Sequence, residues 1–316
     1  MGAALGLAAR SRGRSTPNPN VGCLVVREGR VIGRGWTGEG GRPHAEAIAL
    51  DQAGAAARGA DIFITLEPCA HVSARGPACT DLLVAAAPAR VVIAAGDPDP
   101  RTNGKGIERL RDAGIQVVEG VLAAEAEAAM AGFFTRLRRG RPHVTLKLAM
   151  SLDGRIALAD GTSRWITGET ARAHGHVERA RCDLILVGRG TLAADQPRLD
   201  VRLAGLEARS PRRAVLSHAA APDGWIQIRE PAEIAALEGV DHVLVEGGAG
   251  AAAAFLGADL VDRLLIYRAP ILIGEGRAAI GDIGLADLAQ AHGRWRLADR
   301  RSLGSDALEV YERIRI

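Results

Sequence analysis

A layered α/β fold in two domains is what the sequence predicts, and three observations predict it. Strand-like and helix-like segments alternate after an opening hairpin, the pattern of helices packed on a mostly parallel sheet. The length, 316 residues, suggests two cores rather than one. A charged run with glycine and proline, Arg136-Leu-Arg-Arg-Gly-Arg-Pro142, interrupts the alternation near the middle and reads as a solvated linker. The expected units are 1–141 and 142–316.

Each element has its own signal. Residues 1–14 read as a helix closed by Gly13 and the turn cluster Ser15-Thr-Pro-Asn-Pro-Asn20. Val21–Val26 and Val31–Trp36 are strands joined through Arg27-Glu-Gly-Arg30. Glycines at 38, 40 and 41 lead to a helix that begins near His44. Asp61–Leu66, Val91–Ala95 and Ile115–Val118 are strands, with helices over 79–88, 104–113 and 121–139. The second half restarts with a strand from Val144 to Met150, a turn at Ser151–Gly154 and a short strand from Arg155. A helix over 169–181 and a buried strand over 183–190 follow. Arg213–Leu216 and His242–Glu246 are strands, Gly247-Gly-Ala-Gly opens an alanine-rich helix, and Arg263–Ala269 is a strand after it. No internal repeat relates the halves.

Composition excludes several classes. Hydrophobic residues are 47% and mean hydropathy is +0.05, enough for large cores in a water-exposed protein. No run of about 18 apolar residues exists, so no membrane span is expected. A net charge of +3 with 3% aromatics lacks the basic, stacking face of a nucleic-acid binder. Four cysteines in so long a chain argue for metal or catalysis in a reducing, cytoplasmic setting rather than a disulfide scaffold. Cys23 and Cys182 sit in apolar runs and read as buried thiols.

The chemistry centres on Pro43-His-Ala-Glu46, Glu67-Pro-Cys69 and Cys79. One imidazole and two thiolates are three zinc ligands, which leave a fourth tetrahedral position for water. Zinc brings that water's pKa towards neutrality, and Glu46 is free to shuttle protons, the arrangement of the zinc deaminases. His44 and Glu46, two apart, would point about 200° from each other in mid-helix. At a first helical turn both can face a metal ahead of the helix, and Pro43 suits the first helical position. Cys79 likewise opens a helix, whose N-terminus favours a thiolate. The alternatives are a closed structural zinc, with His71 or Cys23 as fourth ligand, and unrelated core residues. Glu46 favours the open site, because a structural zinc has no use for a carboxylate beside its histidine. In the second half, strand, glycines and helix at Gly247-Gly248 form either a phosphate cradle or a tight turn before a close-packed helix.

These motifs and their order resemble the bifunctional pyrimidine deaminase–reductases of riboflavin biosynthesis over nearly the whole chain. The likeness rests on Pro17-Asn-Pro-Asn-Val-Gly22, Pro43-His-Ala-Glu46, Thr65-Leu-Glu-Pro-Cys69, Asp97-Pro-Asp-Pro100 and Gly104-Lys-Gly106 in the first half. In the second it rests on Leu146-Lys-Leu-Ala-Met-Ser-Leu-Asp-Gly154, Trp165-Ile-Thr167, Gly190-Thr191, Asp195 and Val245-Glu-Gly-Gly248. The nine residues between Cys69 and Cys79 separate it from nucleic-acid deaminases, whose second motif is a short Pro-Cys-x-x-Cys.

The resemblance implies a cytidine-deaminase-like three-layer α/β domain followed by a dihydrofolate-reductase-like α/β domain. It implies one zinc per chain on His44, Cys69 and Cys79, with Glu46 catalytic. It places Asn18, His71 and Arg75 on a phosphorylated pyrimidine, Arg75 on the phosphate. It places NADPH on Ala149, Trp165, Thr191, Asp195, Gly247 and Gly248, and the sugar phosphate on Ser163, Arg179, Leu199, Arg202 and Glu246. Lys147 matches a lysine proposed to act in the reduction, and Asp153 falls among the expected site residues. The expected partners are that substrate and further copies of the chain as a homo-oligomer, with no nucleic acid and no membrane. The chain departs from the family in three places. Pro77-Ala78 stands for two prolines in a loop one residue longer, Gln196 replaces Asp or Asn, and the stretch from Arg202 to Glu246 is shorter. The last predicts a folded reductase domain with weakened NADPH affinity; the narrower alternative is a deaminase with a non-catalytic reductase domain.

Overall fold

The first helix, α1 (Gly2–Ala8), stops well short of residue 14. Residues 9–14 form turns instead, since arginines at 10, 12 and 14 present no apolar stripe to bury. In this computed structural model, which describes residues 1–71 and 73–315, the hairpin β1 (Gly22–Arg27) and β2 (Arg30–Trp36) follows. It turns through Glu28 and Gly29 at φ 50° and 73°, a mirror-type turn that matches strand twist. Then come α2 (Ala45–Ala53), β3 (Asp61–Leu66), α3 (Cys79–Ala86), β4 (Arg90–Ala95), α4 (Lys105–Asp112) and β5 (Gln116–Val118). The single helix expected over 121–139 is two, α5 (Ala123–Ala129) and α6 (Ala131–Arg139), broken at Met130 with φ −106° and ψ 24°. Ala126, Met130 and Phe134, four apart along one face, all enter one core across the break.

The five strands pair in the order β2-β1-β3-β4-β5, antiparallel about β1 and parallel from β3 to β5. Alternation along the strands feeds both faces. Cys23, Val25, Ile62 and Ile64 meet Ala45, Ala49 and Leu83, while Leu24 meets Ala4 and Leu7 of α1. Helices on both faces make three layers. The packing of α2 on β2 is close enough that a Cβ on Gly35 would stand 1.9 Å from the Ala45 carbonyl oxygen. Glycine there lets the start of α2, and with it His44 and Glu46, lie against the sheet.

The chain forms two compact units, Met1–Gly140 and Arg141–Ile316. The second unit runs β6 (His143–Met150), β7 (Arg155–Leu158), α7 (Glu169–Arg179), β8 (Leu184–Gly188), α8 (Arg189–Asp195), β9 (Arg212–Leu216) and β10 (Ile226–Ile228). It continues β11 (His242–Glu246), α9 (Ala249–Gly257), β12 (Arg263–Arg268), β13 (Gly276–Ala278), β14 (Trp295–Leu303) and β15 (Asp306–Arg313). The strand expected over 183–190 thus ends at Gly188, where the chain turns straight into α8. Eight strands form one sheet in the order β10-β9-β8-β11-β6-β12-β15-β14. From β10 to β12 it is parallel, and the terminal hairpin closes it antiparallel. β7 and β13 pair separately. The stretch between β9 and β11 holds β10 and a 3₁₀ turn at Pro231–Ala236, and the strands flanking it are intact. Among the described residues no helix is long and apolar enough to cross a membrane.

At the start of this sheet Asp262 is buried and takes both guanidinium nitrogens of Arg141, at 2.7 and 2.9 Å, with Arg315 and the Val144 N–H. Burial would raise its carboxyl; the Arg141 hydrogen bonds and the charges of His143 and Arg141 win and hold it at about 2. A carboxylate lowered on folding stabilises above its ordinary pKa of about 4, and that contribution disappears as pH falls through the folded value. We expect about 2–3 kcal/mol from this group at neutral pH. The melting-temperature gap between wild type and Asp262→Asn should stay level down to about pH 5 and narrow between about pH 4 and 2. A gap independent of pH would remove the ion pair as its cause.

Candidate active sites

His44 caps α2 with extended backbone, φ −72° and ψ 157°, so Pro43 lies outside the helix rather than at its first position. The cap conformation turns the imidazole forward while Glu46 occupies the first helical turn. Cys69 follows β3, and Cys79 is the first residue of α3. The donor atoms of His44, Cys69 and Cys79 all lie within 4.8 Å of one another. His44 Nδ1 is 3.2 Å from Cys79 Sγ and 3.6 Å from Cys69 Sγ. A tetrahedral zinc spaces such donors roughly 3.5 Å apart, so this nitrogen and these two sulfurs fit the metal. Among the described residues neither His71 nor Cys23 joins the group. Cys23 is enclosed in β1, where burial and then the charge of Glu46 push its thiol up.

The electrostatics suit a metal and a proton carrier. The Cys79 thiol hydrogen-bonds Cys69 and holds it down to about 4 against burial, while the same bond and burial raise Cys79 well above the usual thiol range. The Cys79 N–H also donates to Cys69 Sγ at 3.2 Å. Glu46 is 4% exposed; burial raises its carboxyl, opposed by the charge of His44.

Around this centre the sequence-derived residues spread. The Asn18 amide donates to Gly41 O, and its nitrogen stands 2.8 Å from His44 Nε2. His71 Nδ1 is 3.4 Å from Thr102 Oγ1, and Arg75 donates to Gly40 O. Glu67, within the Thr65-Leu-Glu-Pro-Cys69 motif, serves the backbone. It is buried and accepts the N–H groups of Asp97, Gly104, Gly106 and Ile107 at 3.0–3.3 Å. It thereby holds the start of α4 beside Cys69. A Cβ on Gly106 would meet Pro68 O at 2.3 Å, which accounts for the Gly-Lys-Gly spacing. Asp97, also read only as motif, is pushed to about 7, chiefly by burial.

In the second unit a cavity of about 820 Å³ opens at the C-terminal ends of β6, β8 and β11, where open α/β sheets take ligands. Its lining includes Ala149, Ser163, Trp165, Thr191, Asp195, Leu199, Gly247 and Gly248. Lys147, Arg179, Arg202 and Glu246 line both it and an adjoining pocket. Lys147 and Glu246 are register partners on β6 and β11, with Nζ 3.7 Å from the carboxylate. Arg179 grips the same carboxylate with two nitrogens at 2.7 and 2.8 Å. Burial alone would raise Glu246; Lys147 and Arg179 bring it to about 2. The Gly248 N–H donates to Thr191 Oγ1 at 3.0 Å, tying α8 to the start of α9. Trp165 is 66% exposed with the Arg172 guanidinium over its ring. Leu199 is buried at φ 53°, and Arg202 pairs with Asp200. Asp153 is absent from the lining of either cavity. It takes the Ser151 hydroxyl and the N–H groups of Ile273 and Gly274 instead, so it pins a loop.

Residues 1–95 match the cytidine and deoxycytidylate deaminase zinc-binding region, and residues 142–227 and 225–308 match the RibD C-terminal domain. The chain is therefore a bifunctional enzyme, a zinc-binding deaminase domain followed by a reductase domain. Riboflavin biosynthesis protein RibD of Mycobacterium tuberculosis is 40% identical over 98% of this chain and 95% of its own length. A solved structure of Acinetobacter baumannii RibD superposes with a TM-score of 0.89 at 35% identity, covering 100% of this chain and 98% of that one. A Thermotoga maritima structure reaches 0.90 at 32% identity, covering 99% and 97%. It is described as a diaminohydroxyphosphoribosylaminopyrimidine deaminase/5-amino-6-(5-phosphoribosylamino)uracil reductase. The chain belongs to the RibD family of riboflavin biosynthesis proteins.

Proposed function

We propose that the first unit hydrolytically deaminates 2,5-diamino-6-(5-phosphoribosylamino)pyrimidin-4(3H)-one and that the second reduces the product's ribosyl group to ribityl with NADPH. The observation that carries this is Glu46, buried in the first turn of the helix that His44 caps, beside a three-donor zinc set with no fourth protein ligand among the described residues. A zinc held by His44, Cys69 and Cys79 would supply an acidified water at its open position. Glu46 takes up a proton and returns it to the departing amine, and burial, which raises its carboxyl, suits it to both tasks. Asn18, beside the Nε2 edge of the His44 ring, meets the substrate. His71 and Arg75 lie on the loop joining the two cysteines and meet the substrate's far end.

In the second unit NADPH would supply the hydride. The start of α9, just after the Gly247-Gly248 turn, would offer its first-turn backbone N–H groups to the phosphates, with Ala149, Trp165, Thr191 and Asp195 along the same cavity. Ser163, Arg179, Leu199, Arg202 and Glu246 line the space beside it for the sugar phosphate. Lys147, a cation with one carboxylate partner and the Tyr267 ring 5.6 Å away, is placed to steady charge or donate a proton as the chain is reduced.

The test is a coupled assay on the pathway substrate, with and without NADPH, on protein of measured metal content. One zinc per chain, ammonia release without NADPH, and NADPH oxidation only after deamination are expected. Direct titration should show NADPH bound, more weakly than by relatives with the longer middle. No NADPH binding at any accessible concentration would leave the second unit a scaffold and the narrower deaminase reading standing. Zinc well below one per chain would remove the open-site assignment.

A further inference from the structure

The loop from Cys69 to Cys79 and the glycine turn before His44 are tied by two arginines, each reaching the other's side. From the loop, Arg75 Nη2 donates to Gly40 O at 2.6 Å. From the turn, Arg42 donates through Nη2 to Ser73 Oγ at 3.2 Å and through Nη1 to Pro77 O at 3.4 Å. Arg42 lies so near the loop backbone that a Cβ on Gly76 would stand 3.0 Å from its Nη1. Arg42 is two residues from His44, and Pro77 two from Cys79, so this crossing lies on the rim of the deaminase centre.

Neither guanidinium has a carboxylate partner among the described residues: Arg42 meets a hydroxyl and a backbone carbonyl, Arg75 a backbone carbonyl. The acidic side chain of the same turn, Glu39, is taken by Arg14. Arg101, which lies further along the chain, is likewise taken by Asp99. Two cations at one rim, each holding only neutral acceptors, favour an anion in their place, because a phosphate adds ion-pair attraction and a second oxygen for the guanidinium fork.

We propose that Arg42 joins Arg75 in a two-arginine clamp on the substrate's phosphate, which makes Arg42 a specificity residue of the deaminase. The proposal rests on the deaminase reading above. An arginine fork meets phosphate oxygens through paired N–H bonds. With one arginine on the loop and the other on the turn, a phosphate between them holds both walls of the site at a fixed spacing. Arg42 also explains how the longer cysteine loop, with Ala78 in place of a proline, is kept in position.

The experiment compares the phosphorylated pyrimidine with its dephosphorylated ribosyl counterpart, by ammonia release, in wild type and in Arg42→Gln. The quantity read is the preference, the ratio of the two kcat/KM values. The expected result is a preference lowered about ten- to a hundredfold, carried by KM of the phosphorylated compound. An unchanged preference, with both compounds losing alike, would make Arg42 a loop strap and overturn the clamp. Zinc content is measured alongside, since metal loss lowers both compounds together and leaves the ratio untouched. Should the glutamine variant not fold, Arg42→Lys keeps a point charge without the fork. A preference reduced several-fold supports the clamp, and one equal to wild type overturns it. If wild type deaminates neither compound, the deaminase reading itself fails, an outcome distinct from an unchanged ratio.

Discussion

Glu46→Gln is expected to keep its zinc and to lose roughly 10²–10⁴-fold of its deaminase turnover. Glutamine matches the shape of glutamate and sits in the same helical turn, so the three donors of His44, Cys69 and Cys79 keep their spacing. What disappears is a group that can take a proton and give it back. The loss should fall on kcat, because a proton carrier acts in the transition state more than in the ground state. Burial of Glu46 makes this stricter: at 4% exposure bulk water has little room to replace it. Metal analysis and ammonia release on one preparation decide the matter. Near-normal turnover with full zinc would take Glu46 out of the reaction; lost turnover with lost zinc would make it a part of metal retention instead.

Lys147→Ala is expected to give the mirror result, ammonia release retained and NADPH oxidation reduced by roughly 10²–10⁴-fold, the range of a positioned acid. The ammonium is the charge facing Glu246 across adjacent strands, and Arg179 grips that carboxylate from the other side. Removing Lys147 therefore leaves Glu246 paired, so the sheet should keep its fold and the cavity its outline. Single-turnover oxidation with deaminated substrate separates binding from reduction. Reduction at the wild-type rate would return Lys147 to the role of a counter-charge for Glu246.

The parts of the fold that could be read from residues alone are those where burial is one-sided or complete. β3 and β4 are mostly apolar runs with nearly every interior position buried, and a run of that kind has few other solutions. β14 escaped because it is exposed along almost all of its length, and an exposed strand carries no period to read; β15, with Asp306, Leu308 and Val310 alternating inward, does carry one. β10 and β13 are three residues each, too short for any period. The break at Met130 is a tertiary choice, since nothing local distinguishes that methionine from its helical neighbours. Among site residues, His44, Glu46, Cys69 and Cys79 stood out because metal chemistry restricts residue types. Glu67 and Asp153 looked equally chemical, yet their carboxylates serve backbone N–H groups, a use that depends on loops distant in sequence. Arg42 gave no signal, because its acceptors lie on a loop more than thirty residues away.

The strand order of the second unit bears on how the chain leaves the ribosome. β6, made early, is flanked by β11 and β12, so its neighbours are synthesised about a hundred residues after it. Until those residues emerge, an apolar strand waits without partners, and such strands are the hazard of slow, non-local parallel pairing. The first unit has no such wait, since its last element ends at Arg139. A nascent chain can therefore close its deaminase half and take up metal while the reductase half is still a bare strand in search of its sheet. The final twenty or so residues, β14 and β15, then act as the latch: a chain truncated before them would leave β12 as an open, sticky edge.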